Sequence, residues 1–272
     1  MSSFDLKISK LQKNPESKVL EKGYINIYSS LNSKERRQIF YKELYKRQHS
    51  DWDETMVFLS EYFKKLFVGK EHVTVLDAGC GNGNFVIDEN RELISWAVGL
   101  DVKPEFTSKN ICLDQIEYGS LNTIPFENNS FDSVISLWVL EHIHNANNTF
   151  KEINRVLKLN GVFLFATPNK NYLPLRLLDL LKSSKINHTL NRSLFGREAK
   201  EVFEAYYEAN SLKTLNHLAE KNGFSVEVLK LNYDPGYTSF NKLLYELFSK
   251  LSKFSIFQPH IIGVLRKTSN SR

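Results

Sequence analysis

The sequence is short of several residue types, and each shortage excludes a class of protein. Cys80 and Cys112 are its two cysteines among 272 residues, which excludes a disulfide framework and a zinc site built on cysteine. The seven histidines are dispersed along the chain, and the sequence shows no carboxylate-rich loop of the kind that holds a divalent cation. We therefore expect a protein of a reducing compartment, cytoplasmic and without a metal centre.

Long apolar runs are also missing. No stretch approaches the ~20 apolar residues that a membrane span needs, and the first residues carry charges every few positions, unlike a signal peptide. The net charge of +5 is spread over scattered lysines and arginines, so the sequence does not indicate a nucleic-acid partner. A hydrophobic fraction of 42% is ordinary for a globular protein with a substantial core.

The stretch VLDAGCGNGNF at positions 75–85 organises the rest of the chain. An apolar run passes through Asp77 and breaks into three glycines, Gly79, Gly81 and Gly83. This pattern predicts a buried strand that turns sharply into a helix, because glycine accepts positive φ and lets a ligand approach the backbone. Unpaired N–H groups at such a turn favour an anionic group. We expect a ligand of nucleotide size there.

A second apolar strand, residues 96–100, is followed by Asp101. A carboxylate at that place suits a ribose with both hydroxyls free, because it accepts two hydrogen bonds from a diol. The glycines are spaced as G-x-G-x-G, whereas the dinucleotide fingerprint is G-x-G-x-x-G. The spacing disfavours an NAD-dependent enzyme, and an ordinary tight turn in an α/β protein is the simpler alternative.

Strands and helices are predicted to alternate along the chain, which implies a parallel sheet with a ligand at the carboxyl ends of its strands. Helices are predicted after Gly83, after Pro104, over 149–159 with Asn160-Gly161 as a left-handed stop, and over 211–222. Residues 170–210 are predicted to be irregular, and 237–257 carry an apolar stripe of helical period. The predicted strands are 73–77, 96–100, 111–113, 133–137, 162–166, 224–233 and 260–267.

Four blocks resemble, in order and spacing, the class I S-adenosylmethionine-dependent methyltransferases. The nearest likeness is to the group that shares its core with the ubiquinone and menaquinone methylating enzymes. The likeness fades before about position 70 and after Asn169. The blocks are 75–85, Leu100-Asp101, 119–142 and 152–169.

The resemblance implies an α/β fold with a Rossmann-like sheet of seven mostly parallel strands between helices. An antiparallel C-terminal strand pair and a helical cap complete it. Residues 1–70 would form an N-terminal arm and cap helices. Residues 71–272 would form the methyltransferase domain, with a substrate-cap insertion at about 168–210.

The resemblance also implies the cofactor, S-adenosylmethionine, and its contacts. The backbone of Gly79, Cys80, Gly81 and Gly83 would pack against the methionine part. Asp77 would hold the loop or a water near the ammonium, and Asp101 would bind the ribose hydroxyls. Val102 would lie against the adenine, with Ser120 and Leu121 near its amino group. Leu137 and Trp138 would lie beside the methyl group. Ser120 departs from the pattern, because the family commonly has a carboxylate there.

The acceptor is expected to be a small molecule or a lipid-linked or carrier-linked group, with O-, N- and C-methylation all open. His142 is the candidate base, although the same position also suits a structural role, and Tyr206 and Tyr207 are candidates for orienting the acceptor. The stripe at 237–257 would either pack on the domain or contact a membrane surface. A non-catalytic binding or scaffold protein of the same fold is the alternative, with Ser120 as its one hint.

Overall fold

The structure is a computed structural model that describes residues 32–181, 204–238 and 241–271. The predicted N-terminal arm and residues 182–203 of the predicted insertion lie outside the described residues. The helical part of the predicted cap and the strands and helices of the predicted domain lie within them.

A seven-stranded sheet forms the centre of the described chain, in the order β3-β2-β1-β4-β5-β7-β6. The first five strands of that order pair in parallel, and β7 runs antiparallel to both β5 and β6. This confirms the predicted sheet and its antiparallel C-terminal pair. The strands are β1 (Thr74–Ala78), β2 (Trp96–Asp101), β3 (Gln115–Tyr118), β4 (Phe131–Leu137), β5 (Leu157–Pro168), β6 (Phe224–Asn232) and β7 (His260–Lys267).

Helices cover both faces of the sheet. Short 3₁₀ turns lie at Arg91–Leu93, Pro104–Phe106, Leu140–His142, Pro235–Tyr237 and Ser255–Phe257. The α-helices of the described ranges are α1 (Ser33–Gln48), α2 (Thr55–Phe67), α3 (Phe85–Glu89), α4 (Ala146–Val156), α5 (Leu173–Leu181), α6 (Leu212–Lys221) and α7 (Lys242–Leu251).

Two apolar clusters hold the layers together, one on each face of the sheet. On one face, Phe150 of α4 and Leu215 of α6 pack with the strands. On the other, Phe63 of α2 and Phe85 of α3 do so. Strands buried on both faces need near-continuous apolar runs, which is the pattern their sequences show. The sheet is thereby held rigid, with the carboxyl ends of β1, β2 and β4 along one edge.

The predicted strand at 111–113 is wrong. Ile111 is 91% exposed, and the strand lies a few residues later, at Gln115–Tyr118. Asp114 explains the shift, because its Oδ2 accepts a hydrogen bond from Ala97 N at 2.7 Å and its own N–H donates to Ala97 O at 2.9 Å. The chain therefore joins β2 only from this residue on. The predicted helix after Pro104 is a single 3₁₀ turn.

The helix predicted over 149–159 begins and ends three residues earlier, and Asn160-Gly161 does not stop it. α4 ends at Val156 and β5 follows at once. The pairing of β4 and β5 shifts register between Phe131 and Ser133, and Asn160 takes a φ of 64° inside the strand. The left-handed residue thus lies in an irregularity of the β4–β5 pairing. The prediction of irregular structure for 170–210 is also wrong where α5 forms.

Candidate cofactor and acceptor site

The glycine loop leaves the carboxyl end of β1 and is tied to the end of β2. Gly79, Gly81 and Gly83 have φ values of 82°, 44° and 146°. The amides of Gly79 and Cys80 donate to Leu100 O at 2.8 and 3.2 Å, and Gly83 N donates to Cys80 O at 3.2 Å. The expectation of unpaired amides is therefore wrong for these three residues. With α3 only five residues long, helix-dipole binding of an anion has no support here.

Two of the glycines meet different surroundings. A Cβ added at Gly79 would lie 2.3 Å from Val139 Cγ2, whereas one added at Gly81 would meet nothing within 4 Å. Gly79 thus permits packing of the loop against the residues after β4, and Gly81 faces open space. The Cys80 thiol is buried beside Gly99, and burial raises its pKa. Any ligand contact of Cys80 is left to its backbone.

Asp101, at the end of β2, faces the loop. Its Oδ2 accepts a hydrogen bond from Gly81 N at 2.8 Å, and its Oδ1 accepts one from Val102 N at 2.7 Å. A carboxylate has about four acceptor positions, so both oxygens retain a lone pair. The carboxylate is held in place and can still accept two hydroxyl donors.

Asp77 is a buried carboxylate at the end of β1. Its Oδ1 accepts from Asn84 Nδ2 at 2.7 Å, while Oδ2 is buried and has no hydrogen-bond partner in the described part of the chain. Burial raises the pKa of Asp77 to about 7, and the nearby carboxylates of Asp88 and Asp101 add to that rise. A buried carboxylate oxygen without a donor is suited to a cationic N–H group.

Sequence reasoning missed Asn84. Its side chain caps α3 by accepting from Val86 N at 3.0 Å, and its amide holds Asp77. An asparagine just before the first helical residue is an N-cap signal. That signal was available in the sequence, but the bond to Asp77 was not.

The predicted adenine contacts lie along the same edge of the sheet as Asp101. Gly119 N donates to Asp101 O at 2.9 Å, which brings the residues after β3 beside the end of β2. Val102 is 58% exposed and Leu121 is buried. Ser120 Oγ accepts a hydrogen bond from Asn122 N at 3.1 Å, so this hydroxyl stabilises the local turn. The segment that holds Ser120 and Leu121 therefore lies beside the end of β2.

Trp138 begins the second part of the site, directly after Leu137 at the end of β4. It has a φ of 61°, and its N–H donates to Ala166 O at 2.9 Å. Its ring meets the ring of His260 edge to face, with centroids 4.5 Å apart, and Tyr237 meets the same imidazole at 5.2 Å. His260 is buried and its Nδ1 lies 3.0 Å from Thr55 Oγ1.

Sequence reasoning treated His260 only as the start of a strand. Its place beside Trp138 follows from the pairing of His260 with Pro168, which sets the start of β7 against the end of β5. No local pattern around position 260 signals that contact. The contact between His260 and Trp138 becomes visible only in the folded sheet.

The three candidate catalytic residues lie in two segments that the structure brings together. Tyr206 N and Tyr207 N donate to Glu141 O at 2.8 and 3.2 Å, and His142 Nδ1 lies 2.9 Å from Glu204 O. Because a carbonyl only accepts, Nδ1 carries the proton in the neutral imidazole. Nε2 is then the basic atom of His142, whereas the Tyr206 hydroxyl donates to Glu204 Oε2 at 3.0 Å.

Two features are absent from the described ranges. No helix there is long and apolar enough to cross a membrane. No group of three or more histidine, cysteine, aspartate or glutamate side chains there is placed to hold a metal ion. Neither Cys80 nor Cys112 forms a disulfide within the described ranges.

Comparison with known proteins finds a family match in the part of the chain that contains the glycine loop and Asp101. Residues 76–165 match a methyltransferase domain family. A probable S-adenosylmethionine-dependent methyltransferase of Mycolicibacterium smegmatis is 34% identical over 100 residues, which is 35% of this chain and 38% of that protein. An uncharacterized protein of Methanocaldococcus jannaschii is 27% identical over 241 residues, covering 85% of this chain and 87% of its own.

Solved structures share the fold at low sequence identity. An S-adenosylmethionine-dependent methyltransferase from Mesorhizobium loti aligns with a TM-score of 0.50 and 15% identity, covering 72% of this chain and 91% of its own. Geranyl diphosphate C-methyltransferase from Streptomyces coelicolor, solved with S-adenosyl-L-homocysteine, aligns with a TM-score of 0.50 and 15% identity, covering 76% and 79%.

Residues 76–165 thus match a methyltransferase domain family, and the described chain has the Rossmann-like fold of class I S-adenosylmethionine-dependent methyltransferases. The nearer likeness to the ubiquinone and menaquinone enzymes stays a prediction.

Proposed function

We propose that the protein is an enzyme that transfers a methyl group from S-adenosylmethionine to a small-molecule, lipid-linked or carrier-linked acceptor. One observation supports this most strongly. The glycine loop stands between a buried carboxylate oxygen of Asp77 that lacks a donor and the Asp101 carboxylate, which is held at Gly81 with acceptor capacity to spare. A ligand with an ammonium at one end and a ribose diol at the other matches both.

In this proposal the cofactor supplies an electrophilic methyl group on a sulfonium that is already a good leaving group. Asp77 accepts from the ammonium or from a water bound to it. Asp101 accepts from the ribose hydroxyls, and the open face at Gly81 admits the ligand. Val102, Ser120 and Leu121 lie along the adenine. Leu137 and Trp138 close the methyl end, where an indole face favours a cation.

The chain's task on the acceptor side is to align the nucleophile and exclude water. Trp138, His260 and Tyr237 form a connected group of rings beside the end of β4, and we assign the acceptor to this side. His142 would take the acceptor proton at Nε2 where the acceptor is a hydroxyl or an acidic carbon. Tyr206 and Tyr207 would orient the acceptor from the segment that follows Glu204.

Calorimetric titration with S-adenosylmethionine and S-adenosylhomocysteine tests the binding half of the proposal. Asp101→Ala should weaken binding by about 1–3 kcal/mol, because charged hydrogen bonds to the ribose are lost. Asp53→Ala is the matched control, since Asp53 is a half-exposed carboxylate paired with Lys46 at 2.8 Å. Folded protein that binds neither compound at millimolar concentration would refute the proposal.

Methyl transfer itself is tested with labelled methyl donor in a cell extract. Labelled acceptor that disappears with Asp101→Ala and persists with Asp53→Ala supports an enzyme. Cofactor binding without a labelled product in any fraction favours the non-catalytic scaffold.

A further inference from the structure

Helix α7 has one face turned to the protein and one turned outward. Tyr245 is buried, and its ring stacks on Tyr41 with centroids 4.6 Å apart. Leu243 and Leu247 are instead 75% and 49% exposed. The two leucines are four residues apart, so they lie one above the other on the outward face. The helix therefore carries a second apolar stripe, and this stripe is exposed to solvent.

The stripe continues into the neighbouring segments. Phe254 and Ile256, in the turn after α7, are 50% and 43% exposed, and Leu177 of α5 is 50% exposed. α5 contacts the Ser255–Phe257 turn, so the three segments adjoin. We call these side chains the apolar rim: Leu177, Leu243, Leu247, Phe254 and Ile256. Exposed apolar side chains gathered on adjoining segments mark an interaction site more often than scattered single residues do.

Lysines are interleaved with the apolar rim. Residues 242–257 contain three lysines, Lys242, Lys250 and Lys253, and one acid, Glu246, so the net charge of this segment is positive. Lys250 lies three residues after Leu247 on the same helix face. Leucine and phenylalanine side chains with lysines beside them match the boundary of a bilayer with anionic headgroups, where chains enter the apolar layer and ammonium groups meet phosphate.

The apolar rim adjoins the acceptor side of the site. α7 begins shortly after Tyr237, whose ring contacts His260, and the Ser255–Phe257 turn leads directly into His260. We propose that the apolar rim docks the protein on the surface of an anionic lipid bilayer, with the acceptor side facing the lipid. The docking surface does not depend on the proposed methyl transfer, although it would give a lipid-linked acceptor a short path to Trp138.

Co-sedimentation with vesicles tests the proposal without a methyl donor. The full chain should bind vesicles of phosphatidylcholine mixed with phosphatidylglycerol and bind pure phosphatidylcholine much less. The double variant L243S/L247S should lower the partition coefficient by about tenfold, because it removes two inserting side chains. The matched control is I111S/L159S, which removes side chains that are 91% and 62% exposed elsewhere on the surface.

The charge is tested separately. K250Q/K253Q should weaken binding to the anionic vesicles by about tenfold, and added salt should remove most of that difference. K64Q/K65Q, which changes two exposed lysines at the end of α2, should leave binding unchanged.

Two results would overturn the proposal. One is equal vesicle binding, or none, for the full chain and L243S/L247S when circular dichroism shows both folded. The other is self-association in sedimentation that L243S/L247S abolishes, which would make a second copy of this chain the occupant. Loss of cofactor binding by Asp101→Ala with vesicle binding intact separates this proposal from the proposed function.

Discussion

The two parts of the site are built at very different distances along the chain. On the cofactor side, Gly81 and Asp101 bond across 20 positions. On the proposed acceptor side, Thr55 and His260 meet across 205 positions. The first part is one strand–turn–helix unit and its neighbouring strand, so its chemistry is visible as a motif. The second part is assembled from segments that are far apart in the sequence and that carry no recognisable motif.

The acceptor side is also held by charge. Lys42 Nζ lies 2.9 Å from Glu54 Oε1 and 3.2 Å from Asp234 Oδ2, and all three side chains are buried. Burial alone would raise the pKa of Asp234, but Lys42, His260 and the amide of Gly236 together outweigh burial, and the net pKa lies below its usual value. This ion cluster joins α1 to the segment after β6. The cofactor side is held instead by hydrogen bonds of the glycine loop, including those that Asp77 and Asp101 accept, and by close packing.

The largest expected effect comes from breaking that cluster. Lys42→Ala should cost about 3–5 kcal/mol of unfolding free energy, because two buried carboxylates lose their counter-charge. Urea denaturation measures this. Lys46→Ala on the same helix is the control and should cost no more than about 1 kcal/mol, since that pair is 44% and 42% exposed. Equal losses of unfolding free energy for Lys42→Ala and Lys46→Ala would contradict the stabilising role of the buried ion cluster.

Glycine substitutions test the packing of the cofactor side. Gly79→Ala should cost about 3 kcal/mol, because its Cβ would clash with Val139 at a positive φ. Gly81→Ala, where the Cβ meets open space, should cost about 1 kcal/mol of strain and weaken cofactor binding. Thermal unfolding and calorimetry separate the two. If Gly81→Ala proved the more destabilising, the assignment of its open face to the ligand would be wrong.

Asp77 should make cofactor binding depend on pH. Its pKa of about 7 means that the carboxyl is largely protonated below that pH and must ionise to meet an ammonium. Affinity should therefore fall by up to about 1.4 kcal/mol per unit as pH drops below about 7, as measured by calorimetry. Asp77→Asn should bind weakly and remove this dependence. A wild-type affinity that is flat between pH 5 and about 7 would count against the ammonium assignment.

The same carboxyl should affect the stability of the ligand-free protein with a defined sign. Its pKa is raised from 3.8 to about 7, so between these values the folded state binds more protons than the unfolded state. Stability should then fall as pH rises from about 4 to about 7. Asp77→Asn should reduce this fall in stability, as measured by urea denaturation at several pH values. If the dependence of stability on pH stayed the same in the variant, a group other than Asp77 would be responsible for it.

The smallest expected effect is at Tyr206. Its side chain is 42% exposed, so Tyr206→Phe should leave the free energy of unfolding nearly unchanged. Any change should appear instead in KM for the acceptor. A large loss of stability would show that the segment after Glu204 is part of the core rather than of the acceptor side.

Much of the fold could be predicted from the sequence. The predictions that were wrong concern places where contacts between separate segments, rather than the local pattern, decide the structure. The strands around the glycine motif were predicted within a residue or two because each is an apolar run bounded by turn residues. The strand at 111–113 was wrong because Ile111 is apolar yet exposed, and only the pairing of Asp114 with Ala97 decides where β3 joins. Asn160 was assigned to a helix end because the local pattern of a left-handed residue does not distinguish a helix stop from an irregularity within a strand.

The amino-acid sequence by itself determined the parallel core, the glycine loop and the place of Asp101, because these depend on residues that are near in the chain and on side-chain periodicity. The tertiary structure alone decided which loop amides are already bonded, which oxygen of Asp77 lacks a donor, and that His260 lies against Trp138. Those facts depend on burial and on contacts between distant segments, and neither is encoded in any local stretch.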